Sequence, residues 1–149
     1  MKKKIAWVVL IPLLAVSLFS YSSKLEEKMF FGMGNFGAAF LYQTYLNIGM
    51  IADIWTQNIY SPDDAKSLLN TNLSFLKTSR KIVMELTDFS ISQEDRGTFL
   101  EMISIMDDLT GETESMLKYI ASRAQNDIDQ YEKYRKQAWT KISKLMDIK

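Results

Sequence analysis

The chain has 149 residues with 18 basic and 18 acidic side chains, hence no formal net charge, and it contains neither Cys nor His. The absence of these two residue types excludes disulfide frameworks, thiolate and HExxH zinc sites, cysteine nucleophiles and the serine-hydrolase triad. The balanced charge argues against nucleic acid as the main partner, because nucleic-acid-binding domains usually carry a basic patch or a high isoelectric point.

The N-terminus is laid out like a bacterial secretory signal. Three lysines at residues 2–4 precede an uncharged run from Ile5 to Phe19, and small polar residues follow it. The run of about 15 residues is shorter than the roughly 20 that cross a bilayer as a helix. Residues 1–23 are therefore predicted to be a cleaved signal peptide or, alternatively, a retained membrane anchor. Both interpretations predict an exported protein, periplasmic or anchored in the inner membrane with the rest of the chain outside the cytoplasm.

A second uncharged stretch, of 24 residues, lies between Lys28 and Asp53. It is long enough to span a bilayer, so a second transmembrane helix is one interpretation. Polar residues interrupt it, however, among them Gln43 and Asn47, which lie four apart on one helix face. This pattern favours a core helix of a bundle over about residues 33–60. The apolar residues assigned to its buried stripe are Phe36, Ala39, Phe40, Leu46, Met50 and Ile54.

The second helix is predicted from Pro62 to about Phe89. Ser61 is a typical N-cap, proline suits the first helical position, and the two acids that follow favour the positive end of a helix. Because the connection near Ser61 is short, the first two helices should be antiparallel neighbours. The apolar stripe of the second helix comprises Ala65, Leu68, Leu69, Phe75, Leu76, Ile82, Val83, Leu86 and Phe89.

The remaining sequence begins with another helix start at Ser92, which three polar or acidic residues follow. An apolar stripe then continues to Leu145 without a proline. Ser122 and Gln125 match a capping box, which favours a break near residues 121–123 and two helices. The members of this apolar stripe are Phe99, Leu100, Ile103, Met106, Leu109, Met116, Leu117, Ile120, Ala124, Ile128, Tyr131, Ala138, Ile142 and Leu145.

These elements predict an all-α fold, an antiparallel helical bundle over residues 24–149 that follows the N-terminal signal or anchor. Four helices are favoured. The alternative is a three-helix arrangement in which residues 93–147 form one long helix.

Carboxylates are the only groups in the chain suited to metal binding or catalysis. The densest set is Asp107, Asp108, Glu112 and Glu114. Its spacing does not match an EF-hand, and a di-iron bundle would need Glu-x-x-His pairs. We therefore interpret the set as a solvated acidic face and predict no catalytic residue, metal or cofactor.

Four polar residues fall on or beside apolar faces: Gln43, Asn47, Asp53 and Arg135. One interpretation makes them register-setting or rim contacts, with Asp53 and Arg135 forming an ion pair if both are buried near each other. The other makes them ligand contacts in a pocket between helices. The aromatic residues that would line such a pocket are Tyr42, Tyr45, Trp55, Tyr131 and Trp139.

The sequence as a whole predicts a non-enzymatic, exported helical bundle that acts through protein-partner binding or envelope assembly. Its partner would be another envelope protein or a second copy, and the membrane would be reached through an uncleaved N-terminal segment. One alternative is a sensory-type bundle that binds a small ligand; another is a membrane protein with two transmembrane helices. An exposed apolar stripe on the last helix would favour partner binding, a buried polar cavity would favour a ligand, and converging carboxylates would favour an enzyme.

Overall fold

The computed structural model describes the backbone of residues 4–89 and 92–148 and the side chains of residues 28–89 and 92–148. This part of the chain contains no strand and four helices, which confirms the predicted all-α class and helix number. They are α1 (Lys4–Thr56), α2 (Pro62–Leu86), α3 (Gln93–Ser122) and α4 (Gln125–Leu145). The predicted signal or anchor over residues 1–23 lies outside the residues whose side chains are described.

The chain divides into two compact units, residues 1–35 and residues 36–149. The second, called the bundle unit below, contains the last part of α1 together with α2, α3 and α4. Across the described side chains no helix is long and apolar enough to cross a membrane. That range includes the uncharged stretch of residues 29–52.

α3 runs in the opposite direction to both α2 and α4. Two ion pairs join α2 to α3 and three join α3 to α4, and in both sets the residue numbers rise on one helix as they fall on the other. The pairs are Lys77–Glu114, Arg80–Asp107, Glu101–Lys144, Asp108–Lys141 and Glu112–Arg135. On the remaining sides, α1 contacts α2 through Asn47 and Asn72, and it contacts α4 through Tyr45 and Trp139.

The predicted helix starts after Ser61 and Ser92 are confirmed. Ser61 Oγ accepts a hydrogen bond from the amide of Asp64 at 3.1 Å, and the carboxylate of Asp64 accepts one from the amide of Ser61 at 3.2 Å. Ser92 Oγ likewise accepts from the amide of Asp95 at 3.0 Å. Each cap satisfies an amide at the start of its helix that has no carbonyl partner within the helix.

α3 and α4 are separate helices, so the alternative prediction of one long helix over residues 93–147 is wrong. Arg123 has a left-handed backbone conformation with φ of 57°, which ends α3. Its guanidinium lies 4.1 Å from the ring centroid of Trp55 and so fixes the turn against α1. The predicted capping box is wrong in detail, because Ser122 Oγ accepts from the amide of Ala124 and donates to Asp127 instead.

The buried face of α1 is also not the predicted one. Phe36, Leu46 and Met50 are 78%, 40% and 53% exposed. The face that packs into the core comprises Ala38, Leu41, Thr44, Ile48, Ile51, Ala52 and Trp55. Because no charge marks a solvent side between Lys28 and Asp53, apolar spacing alone does not identify the buried face.

The predicted stripe of α2 separates into a buried and an exposed row. Ala65, Leu69, Leu76 and Val83 are buried in the bundle. The exposed row comprises Leu68, Phe75, Ile82 and, just beyond the helix, Phe89. In α3 and α4 the prediction is more successful, although Leu100 and Ala124 are exposed. Its buried members are Phe99, Ile103, Met106, Leu109, Met116, Ile120, Tyr131, Ala138 and Ile142.

Candidate functional site

The carboxylates of α3 face the neighbouring helices rather than solvent alone. Asp107 and Glu114 accept hydrogen bonds from α2, and Asp108 and Glu112 accept them from α4. The interpretation as a solvated acidic face is therefore wrong for Asp108 and Glu112, which are both buried. Each of the four carboxylates has a basic partner, and among the described residues no group of acidic side chains is arranged to hold a metal ion.

The most buried of these ion pairs joins Glu112 to Arg135. Glu112 is fully buried, whereas the side chain of Arg135 is 25% exposed. Arg135 Nη1 donates to Glu112 Oε1 at 2.7 Å and to the carbonyl of Tyr45 at 3.4 Å. The guanidinium carbon lies 4.2 Å from the ring centroid of Tyr45, whose other neighbour is the stacked ring of Trp139 at 5.5 Å. Arg135 thus holds α1, α3 and α4 together.

Burial dominates the electrostatics of Glu112. It raises the pKa of this carboxyl from 4.5 to about 7, although the hydrogen bond and charge of Arg135 act in the opposite direction. Glu112 Oε2 has no hydrogen-bond partner within the described part of the chain. Burial also raises the pKa of Tyr131 above its ordinary value. Because its pKa is about 7, the carboxyl of Glu112 changes charge near neutral pH.

Gly49 provides the space that the guanidinium of Arg135 occupies. A Cβ added at this glycine would lie 2.7 Å from Arg135 Cζ, well inside van der Waals contact. A side chain on Gly49 would therefore move Arg135 away from Glu112 or shift α1 away from α4.

A Gly49→Ala substitution should destabilise the protein by about 1–2 kcal/mol, although alanine favours a helix by about 1 kcal/mol. The loss is expected because displacing Arg135 weakens a charge-assisted hydrogen bond of about 1.5–3 kcal/mol. Gly97 is the matched control, since an added Cβ there meets nothing within 4 Å. Gly97→Ala should stabilise by about 0.5–1 kcal/mol in urea denaturation. If both variants raised the free energy of unfolding equally, Arg135 would not depend on the space that Gly49 leaves.

The four predicted site residues do not form one site. Asn47 donates to Asn72 Oδ1 at 3.1 Å and joins α1 to α2. Gln43 and Asp53 are exposed. The condition for an ion pair between Asp53 and Arg135 is not met, because Asp53 is exposed and Glu112 is the carboxylate that Arg135 binds.

The predicted aromatic lining falls into two groups at different levels of the bundle unit. Tyr42 and Tyr45 lie against Trp139, with ring centroids 6.3 and 5.5 Å away. Trp55 instead meets Tyr119 in an edge-to-face contact at 5.9 Å.

Glu112 was missed as the partner of Arg135. The signal that could have found it is its i,i+4 spacing to Asp108, which places both acids on one face of α3 toward the bases of α4.

A second feature is an apolar surface where α1 and α2 meet. We call it the α1–α2 strip and define it by six exposed side chains: Phe36, Leu46, Met50, Leu68, Phe75 and Ile82. The hydrogen bond between Asn47 and Asn72 locates it, because Met50 lies one helical turn from Asn47, and Leu68 and Phe75 flank Asn72. The last helix exposes fewer large apolar groups, namely Trp139, with Ile148 just beyond its end.

The α1 part of the strip has an unusual composition for the outer face of a bundle helix. Such a face normally carries charged side chains. Here no charged residue occurs between Lys28 and Asp53, so the exposed positions of α1 over residues 29–52 are apolar or neutral. Scattered single apolar residues on a surface are ordinary, but a group of them along two adjacent helices, with an uncharged face on one, is typical of an interaction site.

Comparison of the chain with protein-family models, with curated proteins and with solved structures finds no match.

Proposed function

We propose that this protein is a non-enzymatic, exported helical bundle that binds another polypeptide through the α1–α2 strip. The observation that carries the proposal is the exposure of six large apolar side chains along two adjacent helices, four of them at least half exposed. Burying such groups against a partner removes apolar surface from water, which is the main favourable term in protein association.

The chemistry of the strip defines the class of partner. Between its apolar side chains lie neutral groups such as Gln43 and Thr78, so a highly charged partner would lose solvation without gaining ion pairs. A partner helix with its own apolar stripe can bury these side chains and still satisfy its backbone internally. The strip therefore fits an apolar helix face better than a charged polymer.

The composition supports a binding role over catalysis. The chain has neither His nor Cys, and four acidic groups of α3 are engaged by basic residues of α2 and α4. The lysines at residues 2–4 and the apolar run after them support export, to the periplasm or to the outer side of the inner membrane.

Two glutamates placed in the strip test this role. A Met50→Glu/Phe75→Glu double variant adds charge at positions that are 53% and 60% exposed, so the fold should tolerate it. We expect the full chain, extracted in mild detergent, to migrate in native electrophoresis as a complex larger than one chain. The double variant should migrate as a single chain with unchanged helicity by circular dichroism.

Thr140→Glu is the matched control, because it adds a charge on an exposed position of α4. It should leave the complex intact. If the double variant and the wild type migrate alike, the strip is not the binding surface and the proposal is wrong.

A further inference from the structure

We infer that the partner on the α1–α2 strip is a second copy of this chain, whose α1 packs in parallel and in register against the first α1. This inference rests on the binding role proposed for the strip and names its occupant.

The spacing of the exposed residues on α1 is that of a coiled-coil seam. The outermost positions of the helix within the bundle unit alternate in steps of three and four residues. They are Phe36, Ala39, Gln43, Leu46 and Met50, all exposed. In heptad terms Phe36, Gln43 and Met50 occupy a positions, and Ala39 and Leu46 occupy d positions. This repeat of seven is the pattern that keeps one helix facing another along its length.

On α2 the exposed row repeats every seven residues as well. Leu68, Phe75 and Ile82 lie beside the seam, on the side of α2 that faces α1. A helix docked on the outer face of α1 would therefore also contact α2. With both rows contributing, the partner helix packs into a shallow groove rather than against a single ridge.

The charge pattern favours a second copy as the occupant. A two-fold interface brings each residue near its own counterpart or a symmetric pair, so any charge in the seam would face a like charge. Between Lys28 and Asp53 the chain has no charge to repel its copy, so the heptads from Phe36 to Met50 avoid like-charge contacts, and the seam ends before Asp53, which occupies the next d position. The copy also supplies, without further assumption, a helix with the same heptad spacing and the same apolar residues.

Gln43 selects the register of the pair. In a parallel pair each a position faces its own counterpart, whereas in an antiparallel pair a positions face d positions, where Gln43 would meet an apolar residue. Gln43 is exposed and lies at the central a position, with an apolar a position one heptad away on each side, and it has no hydrogen-bond partner within the described part of the chain. A single polar residue at an a position costs stability unless it meets its counterpart, so it selects one register. Parallel, in-register pairing brings the two Gln43 amides together and also matches Phe36 with Phe36 and Met50 with Met50.

Cysteine cross-linking tests the arrangement cleanly because the chain contains no cysteine of its own. Gln43→Cys and Met50→Cys are made singly in the full chain and oxidised in intact membranes and in soluble extract with copper phenanthroline. A disulfide requires Cα atoms about 4.4–6.8 Å apart. In the proposed dimer each cysteine meets its counterpart, so both variants should run at twice the mass of one chain on a non-reducing gel.

Gln137→Cys is the matched control, an exposed glutamine on α4 away from the seam. It should remain a single chain, and reduction should abolish the dimer band of the other two variants. An antiparallel pair centred on Gln43 would hold the two Met50 positions about 20 Å apart. A disulfide from Gln43→Cys alone would therefore overturn the parallel arrangement.

The two sets of variants separate self-association from the binding role of the strip. If neither cysteine variant dimerises beyond the control while the Met50→Glu/Phe75→Glu variant still loses its complex, a different polypeptide occupies the strip. Self-association is then overturned and the binding role stands. If the glutamates have no effect and no disulfide forms, both proposals are wrong.

Discussion

Replacing Arg135 with methionine should lower the free energy of unfolding by roughly 3 kcal/mol more at about pH 9 than at about pH 5. At acidic pH the carboxyl of Glu112 is protonated in the folded protein, and its need for a cationic partner is small. At alkaline pH the wild type holds a charged Glu112 beside Arg135. The variant must instead bury that charge alone or keep the carboxyl protonated two pH units above the wild-type pKa of about 7.

The measurement for the Arg135 variant is urea denaturation at both pH values, followed by circular dichroism. Lys77→Met is the control, because Lys77 also pairs with a glutamate of α3 but the side chains of both partners are largely exposed. Exposed pairs of this kind contribute about 0–1 kcal/mol, so the control should show a small and nearly constant loss. A loss from Arg135→Met that is equal at the two pH values would contradict the role assigned to the buried charge.

Glu112→Gln should gain stability relative to the wild type as pH rises, by roughly 3 kcal/mol between about pH 4.5 and about pH 7. In this window the unfolded chain releases the Glu112 proton while the folded chain retains it, because burial raises the folded pKa from 4.5 to about 7. Raising the pH therefore favours the unfolded wild type. Glutamine does not titrate, so its variant lacks this loss.

The difference in free energy of unfolding between the Glu112→Gln variant and the wild type isolates this one carboxyl from all others. It should be smallest below about pH 4.5, rise through the window and level off above about pH 7. Glu114→Gln serves as control, since Glu114 is an exposed carboxylate of the same helix. A flat difference for Glu112 would mean that its carboxyl ionises in the folded protein as it does in the unfolded chain.

Local signals in the sequence predict where α2 and α3 begin, whereas the expected first helix, about residues 33–60, differs from α1 at Lys4–Thr56. Ser61 and Ser92 each precede acids that complete a cap, and this chemistry depends only on residues within one turn. The break after α3 was placed correctly, but its cause was not. Arg123 ends the helix in a left-handed conformation, held in part by Trp55 some seventy residues earlier in the chain. A contact over that separation leaves no local pattern.

The buried face of α1 could not be predicted for a different reason. Amphipathic patterns identify a core face by contrast with a charged face, and α1 has no charge between Lys28 and Asp53. Phe36 and Met50 therefore appeared to be core residues, yet they lie on the surface. The same lack of contrast that hid the packing of α1 produces the α1–α2 strip.

The candidate site was predicted in part. The apolar spacing places Arg135 on a buried face and offers Asp53 as a partner if the two lie close, whereas the structure pairs Arg135 with Glu112. Choosing between two carboxylates requires the rotation of each helix about its axis, which apolar spacing gives only approximately. Asn47 was expected to be a polar contact, and its hydrogen bond to Asn72 joins α1 to α2.

The ion pairs described above distinguish α1 from the other three helices of the bundle unit. α2, α3 and α4 share an apolar core and are also joined by ion pairs, with the acids of α3 between the bases of its two neighbours. The part of α1 in the bundle unit takes part in none of these pairs. Apolar packing, the Asn47–Asn72 hydrogen bond and the contacts of Arg123 and Arg135 with its aromatic rings hold it in place. Apolar packing weakens on cooling and strengthens in salts that are excluded from protein surfaces. Cold and salt therefore act oppositely on the attachment of the one helix that carries both the seam and the N-terminal segment.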